Sequence, residues 1–370
     1  MTANNRRILE LDALRGFAAL AVVLFHFTTR YDQVFGHIAT LPASCPWGSY
    51  GVDLFLMLSG FVILRSLDRT QHAGDFIVGR FARLYPAYWV AGAITFGVVT
   101  LFGLSGQEVS LREAALNSTM LQRLLGARHI DGAYWSLEVE LFFYAFAFAL
   151  HRAGAFRTPR RQHIALALWL FAEAVSMWIM SHGESEAGHS LALRLTSKLQ
   201  VLLSLRYAHL FTIGILLYRG FCNRNYPPIA WLLLAACWTL QGMADSWAAA
   251  LGIAMLTAVL YGAVEGRLGW LAARPLAFLG AISYPLYLIH QNVGYVLIRE
   301  LESLTASPVA AIALAMTFSL AAATGLSLAI ERPVQKWIVN RWKNAPLARI
   351  SRLQPASPGR SESLISAELR

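Results

Sequence analysis

Charge is the scarcest commodity in this sequence. Of 370 residues only 14% are Asp, Glu, Lys or Arg, against about 25% in an ordinary soluble domain. That shortfall excludes a disordered chain and argues against a soluble enzyme. Cysteine is scarce as well, and three residues cannot build a disulfide framework. No internal repeat is visible, and no stretch is left over for a folded soluble domain. What dominates is apolar: 56% of residues are hydrophobic and the mean hydropathy is +0.49. Acidic residues are outnumbered, 21 against 31 Lys and Arg, leaving a net charge of +10. On a soluble chain that surplus would point to nucleic acid. Here it is assigned to loops on one side of a membrane, and no nucleic-acid partner is expected.

A bilayer core about 30 Å thick takes about 20 apolar residues to cross as a helix. Ten segments qualify: 11–29, 49–66, 85–104, 133–151, 162–181, 199–217, 228–242, 247–264, 276–298 and 308–329. The seventh is short. The expected fold class is all-α, a polytopic integral membrane bundle of about ten helices. Arginines cluster in alternate gaps: Arg6 and Arg7, Arg65 to Arg83, Arg152 to Arg161, Arg219 and Arg224, Arg267 and Arg274. The positive-inside rule then sets both termini in the cytoplasm. Arg6-Arg7 before an apolar run resembles a signal peptide, but Asp12 and Arg15 interrupt the run and no small-residue cleavage site follows. Residues 1–340 are expected to form the membrane domain, and 341–370 a basic, flexible cytoplasmic tail.

Ionisable residues inside spans are costly and mark function. In the first span Arg15 and His26 are eleven residues apart, so they differ by only ~20° around a helix and by ~16 Å along it. Asp12, three residues before Arg15, is its candidate ion partner. A buried structural pair and an unrelated core histidine would fit the same spacing. Asp53, near the outer end of the second span, is expected at the depth of His26, where a carboxylate would orient the imidazole. A helix-capping Asp is the alternative. Arg80 and Arg83, before the aromatic run Tyr85-Pro86-Ala87-Tyr88-Trp89, share a helix face and could clamp phosphates, or simply anchor the span. Glu138 and Glu140 lie ~200° apart on the fourth span, so only one can face a cavity. Ser283, Tyr287 and His290 form a polar stripe on the ninth span, and Glu331-Arg332-Pro333 closes the tenth. Sorted by depth, Arg15, Arg80, Arg83 and Arg332 fall at the inner end. His26, Asp53, one Glu and His290 fall at the outer end. A proton-coupled transporter or flippase is the rival reading, although such carriers commonly show inverted repeats.

These motifs together resemble the membrane acyltransferase-3 family. They are Leu11-Asp12-Ala13-Leu14-Arg15-Gly16 to His26, Gly51-Val52-Asp53-Leu54-Phe55, Arg80 with Arg83, Trp135-Ser136-Leu137 with Glu140, Ser283-Tyr284 with Tyr287 and His290, and Glu331-Arg332-Pro333. The resemblance runs in order over residues 6 to about 340. It implies a stand-alone O-acyltransferase of the bacterial cytoplasmic membrane, moving an acyl group, usually acetyl, from cytoplasmic acyl-CoA to a hydroxyl of a cell-surface carbohydrate or glycolipid. Acyl-CoA would be a co-substrate, with no tightly bound cofactor and no metal. Carried over by motif, His26 is the catalytic residue, with Asp53 and Glu140 beside it. Arg15, Arg80, Arg83 and Arg332 would hold the CoA phosphates. Asp12, Tyr287, His290 and Glu331 would support them. One departure is that Leu141 and Phe142 stand where the family often has a second Glu and a Gln.

Overall fold

A computed structural model describes residues 8–182 and 191–345. It is 82% helical with no strands among the described residues, so the backbone satisfies its own hydrogen bonds. Fifteen α-helices follow one another: α1 Leu9–Leu24, α2 Tyr31–Val34, α3 Tyr50–Arg69, α4 Ala73–Phe102, α5 Leu111–Asn117, α6 Trp135–Arg152, α7 Pro159–His182, α8 Leu191–Leu202, α9 Ala208–Asn223, α10 Pro228–Ala244, α11 Trp247–Val264, α12 Arg274–Ile289, α13 Gln291–Thr305, α14 Pro308–Leu326 and α15 Arg332–Asn344.

All ten apolar segments are helical, but not as ten uniform spans. Among the described residues, seven helical stretches are long and apolar enough to cross a bilayer. An eighth counts only if Leu193–Leu202 and Leu205–Asn223, which meet at 58°, act as one broken span. The seventh segment is the shorter α10, Pro228–Ala244. The ninth is not continuous: it divides at His290 into α12 and α13. α13 carries Arg299 and Glu300 on its exposed side, so it is amphipathic rather than lipid-facing all round. The third span also starts earlier than expected. α4 begins at Ala73, which sets Arg80 and Arg83 inside a 30-residue helix rather than in a loop.

Close crossings at glycines draw the bundle together. At α1 against α12, a methyl on Gly280 would sit 1.9 Å from the Asp12 carbonyl oxygen. At α3 against α9, a methyl on Gly214 would sit 1.9 Å from the Met57 carbonyl oxygen. In lipid no hydrophobic force pulls helices together, so backbone contact through small residues supplies the packing. The crossing of α1 and α12 brings the Arg15–His26 face against the Ser283–His290 stripe.

The first residues of the expected tail are described. Residues Arg341 to Asn344 belong to α15, and Trp342 donates from Nε1 to Asp75 Oδ1 of α4 at 2.8 Å. Arg6, Arg7 and residues 346–370 lie outside the described residues.

Candidate functional site

α1 does not end as an α-helix. From Phe25 to Arg30 it widens into a π-helical turn, and His26 sits within it. A second π-helical turn, Ser327–Glu331, follows α14 and ends on Glu331. Such turns shift the side chains beyond them out of α-register, and they recur at functional sites.

His26 meets His290. The two rings stand edge to face with centroids 4.9 Å apart, and His290 Nε2 is 3.2 Å from His26 Nδ1. Carbonyl partners fix the tautomers, because a carbonyl only accepts. His290 Nδ1 donates to Tyr287 O at 2.9 Å, so its Nε2 is a lone pair. His26 Nδ1 donates to Val22 O at 2.9 Å and faces that lone pair. In the neutral pair the remaining nitrogen, His26 Nε2, is unprotonated and has no hydrogen-bond partner among the described residues. It is the natural proton acceptor of the pair. His290 is fully buried, held where α12 gives way to α13.

On the His26 side of this pair lies a cavity of about 310 Å³. His26, Asp53, Arg206, His209, Gln241 and Asp245 line it. Asp53 therefore shares a cavity with His26, as its position in the second span implied. No hydrogen bond joins the two, however. Val22 O and His290 Nε2 are the neighbours of His26 Nδ1, so Asp53 does not orient the ring through a hydrogen bond.

At the opposite end of the same helix face is a second cavity of about 300 Å³, lined by Asp12, Arg15, Arg80, Arg83, Glu140 and Gln335 among others. Glu331 sets this end. It is buried, pairs with Arg83 and accepts from Ser327 Oγ at 2.9 Å. Arg83 also lies over the Tyr284 ring at 5.5 Å, and Arg80 lies between Phe76 and Tyr144 at 5.8 and 5.9 Å. Buried Arg80 Nε has no partner among the described residues. Three guanidinium groups thus converge on one polar recess, the arrangement that suits a phosphate-bearing ligand.

Between these cavities is a throat of only about 40 Å³. Arg15, Ser59, Glu140 and Tyr284 line both throat and arginine cavity, while Val52 and Tyr287 line both throat and histidine cavity. Tyr287 is anchored there by its hydroxyl, 2.6 Å from Ser136 Oγ and 2.9 Å from Ala133 O.

Two further expectations change. Arg332 is exposed and does not line the arginine cavity; the π-turn buries Glu331 and turns its neighbour outward. Glu140, expected beside His26, lies instead in the throat with Arg15, where it accepts from Ser59 Oγ and, at 2.5 Å, from Tyr144 OH. α6 starts at the histidine cavity with Trp135, and five residues at 1.5 Å each carry Glu140 deeper. Glu138 is turned away and lines a separate small cavity with Arg123 and Arg206. Sequence reasoning missed Glu173, His209 and Gln241. Glu173 and His209 did carry a signal, since both are ionisable residues within apolar spans. Gln241 carried none.

A multi-helix membrane architecture with a two-ended polar path defines the class of protein. Comparison with known families narrows it further: the acyltransferase domain family matches residues 8–328, and the chain belongs to that family. Membership favours acyl transfer over the carrier reading. Nodulation protein 10 of Rhizobium leguminosarum bv. viciae is 27% identical over 324 residues, covering 78% of this chain and 83% of that protein. Acyltransferase MdmB of Streptomyces mycarofaciens is 33% identical over 151 residues, 37% of this chain and 38% of that protein. The exopolysaccharide production protein ExoZ of Rhizobium meliloti is 30% identical over 165 residues, 42% and 47% of the respective chains. For three of the curated relatives the chain spans only 38% to 44% of their length. No solved structure matches.

Proposed function

We propose that this chain is a membrane O-acyltransferase that carries an acyl group, acetyl in the simplest case, from cytoplasmic acyl-CoA to a hydroxyl of an extracytoplasmic carbohydrate. One observation carries the reading: a series of cavities with shared walls leads from Arg15, Arg80 and Arg83 to the unpartnered Nε2 of His26. The charge bias of the loops supports an orientation with the arginine cavity at the cytoplasmic side. There the guanidinium groups bind the phosphates of the donor. The thioester arm passes the throat beside Tyr287. In the histidine cavity His26 Nε2 takes the proton of the acceptor hydroxyl as its oxygen attacks the thioester carbonyl. The C–S bond breaks, and the proton passes from His26 to the departing thiolate. An ester and a free thiol result. A carbohydrate acceptor is supported by the polar and aromatic lining of that cavity, and one relative's name refers to exopolysaccharide.

The test is purified His26→Ala. Acyl transfer from acetyl-CoA should fall by about 10²–10⁴-fold, the usual worth of a general base, while acetyl-CoA binding persists. Transfer at the wild-type rate would refute His26 as the centre. An acyl-imidazole adduct, trapped with acetyl-CoA and no acceptor, would replace direct transfer with a two-step route.

A further inference from the structure

One wall of the histidine cavity is built by a relay that the transfer chemistry does not use. Glu173 of α7, His209 of α9 and Gln241 of α10 are all buried, with 0%, 2% and 7% exposure. Glu173 Oε2 accepts from the His209 backbone N–H at 3.0 Å, and its Oε1 is 2.5 Å from His209 Nδ1. On the far side of the ring, His209 Nε2 is 2.7 Å from Gln241 Oε1. With the amide oxygen assigned toward the ring, both imidazole nitrogens face acceptors and both donate. The carboxylate holds the imidazolium, and the imidazolium holds the amide oxygen. The Gln241 amide is left with one free end. Its Nε2 has no protein partner among the described residues, and Gln241 lines the cavity. That N–H is open to the cavity rather than sealed in the bundle, so it is free to donate to a ligand that enters.

The rest of the wall says which ligand. Asp53 and Asp245 add acceptors to the same cavity, and Arg206 adds further donors. Trp135 and Tyr207 pack together in the lining, tilted by 31° with ring centroids 5.4 Å apart, and add aromatic surface. Two carboxylates against the one Arg206 guanidinium disfavour an anionic ring. Alternating donors and acceptors beside an aromatic surface suit a ring that carries hydroxyls on its edge and C–H groups on its face. We propose that Gln241 is an acceptor-binding residue for a neutral sugar ring, and that Glu173 and His209 are positioning residues that aim its amide N–H into the cavity. This rests on the acyl-transfer reading above and assigns the acceptor subsite within it.

The experiment uses the full chain in lipid nanodiscs free of sugar detergents. Methyl β-D-glucopyranoside is the probe, methyl glucuronide is its anionic counterpart, and binding is read by saturation-transfer NMR. Gln241→Glu keeps the oxygen that His209 holds and replaces the N–H donor with an acceptor, so it tests the donor without removing the relay. It should weaken glucopyranoside binding about tenfold, the worth of one hydrogen bond. Glu173→Gln should do the same by loosening the amide. Neither should move the acetyl-CoA dissociation constant more than about twofold, whereas a general packing defect would move both. Wild-type protein should bind the glucuronide more weakly than the neutral ring. The proposal is overturned if wild-type protein does not bind the glucopyranoside, if it prefers the glucuronide, or if Gln241→Glu binds the glucopyranoside like wild type. Unchanged binding in Glu173→Gln overturns the relay alone. The two readings fail separately. Absence of acetyl transfer by wild-type protein, with sugar binding intact, would sink the acyltransferase reading and leave this subsite standing.

Discussion

At the residue scale, the site works by assigning one job to each polar atom. His290 spends its own N–H on Tyr287 O and so meets His26 with a lone pair, leaving His26 Nε2 as the free base. Glu331 plays the matching part at the other end by holding Arg83. Glu331→Gln removes the charge that fixes the guanidinium but keeps the shape of the side chain. Charge-assisted pairs of this kind are the strong ones. The expected result is a rise of about tenfold in the acetyl-CoA dissociation constant, equivalent to about 1.4 kcal/mol, with glycoside affinity unchanged. Titration of each ligand separately checks the split, and equal losses on both sides would assign Glu331 to general packing instead.

At the element scale, the close helix crossings and the loop cap make distinct predictions. At the α1–α12 crossing, Gly280→Ala forces a methyl against the Asp12 backbone, which cannot move like a flexible side chain. Overpacking of this sort costs about 1–3 kcal/mol, visible as a lower melting temperature in detergent. Gly97 has open space around it, so Gly97→Ala should hold or raise stability through helix propensity. In the loop before α6, Glu113 caps α5 with Ser110 and pairs with Arg128. The Arg128 hydrogen bond, then those from Ser110, hold its carboxyl down to about 2 from the ordinary 4.5. A depressed carboxyl pKa stabilises above the unfolded value and loses that stabilisation as pH falls through the folded one. Amide exchange of Leu111–Asn117, corrected for intrinsic rates, should therefore show full protection near pH 5 and progressive loss between about 4.5 and about 2. In Glu113→Gln that pH dependence should vanish.

At the scale of the whole molecule, the proposed transfer requires continuity between two chambers that no single helix encloses. The throat is far smaller than either chamber, about 40 Å³ against about 300 and 310 Å³. Val52 lines the throat and the histidine cavity, and it is not fully buried. Val52→Phe should fill the narrow part with little strain on the surrounding helices. The expected outcome is at least a tenfold loss of transfer with both ligands still bound at their own ends, which binding and turnover measured together would reveal. Normal transfer would mean that the thioester arm takes another route.

The amino-acid order by itself determined the class of fold, because apolar runs of bilayer length leave a chain almost no alternative to helices. It also determined that Arg15 and His26 share a face, since both follow from one local period. The pairing of His26 with His290, across 264 positions, was beyond it. So were the break at His290 itself, the burial of Glu331 beside an exposed Arg332, and the descent of Glu140 into the throat. Those outcomes depend on where one helix crosses another and on π-turns that shift register by a fraction of a turn. Local spacing can say which side chains look the same way, but only the packed bundle decides what stands opposite them.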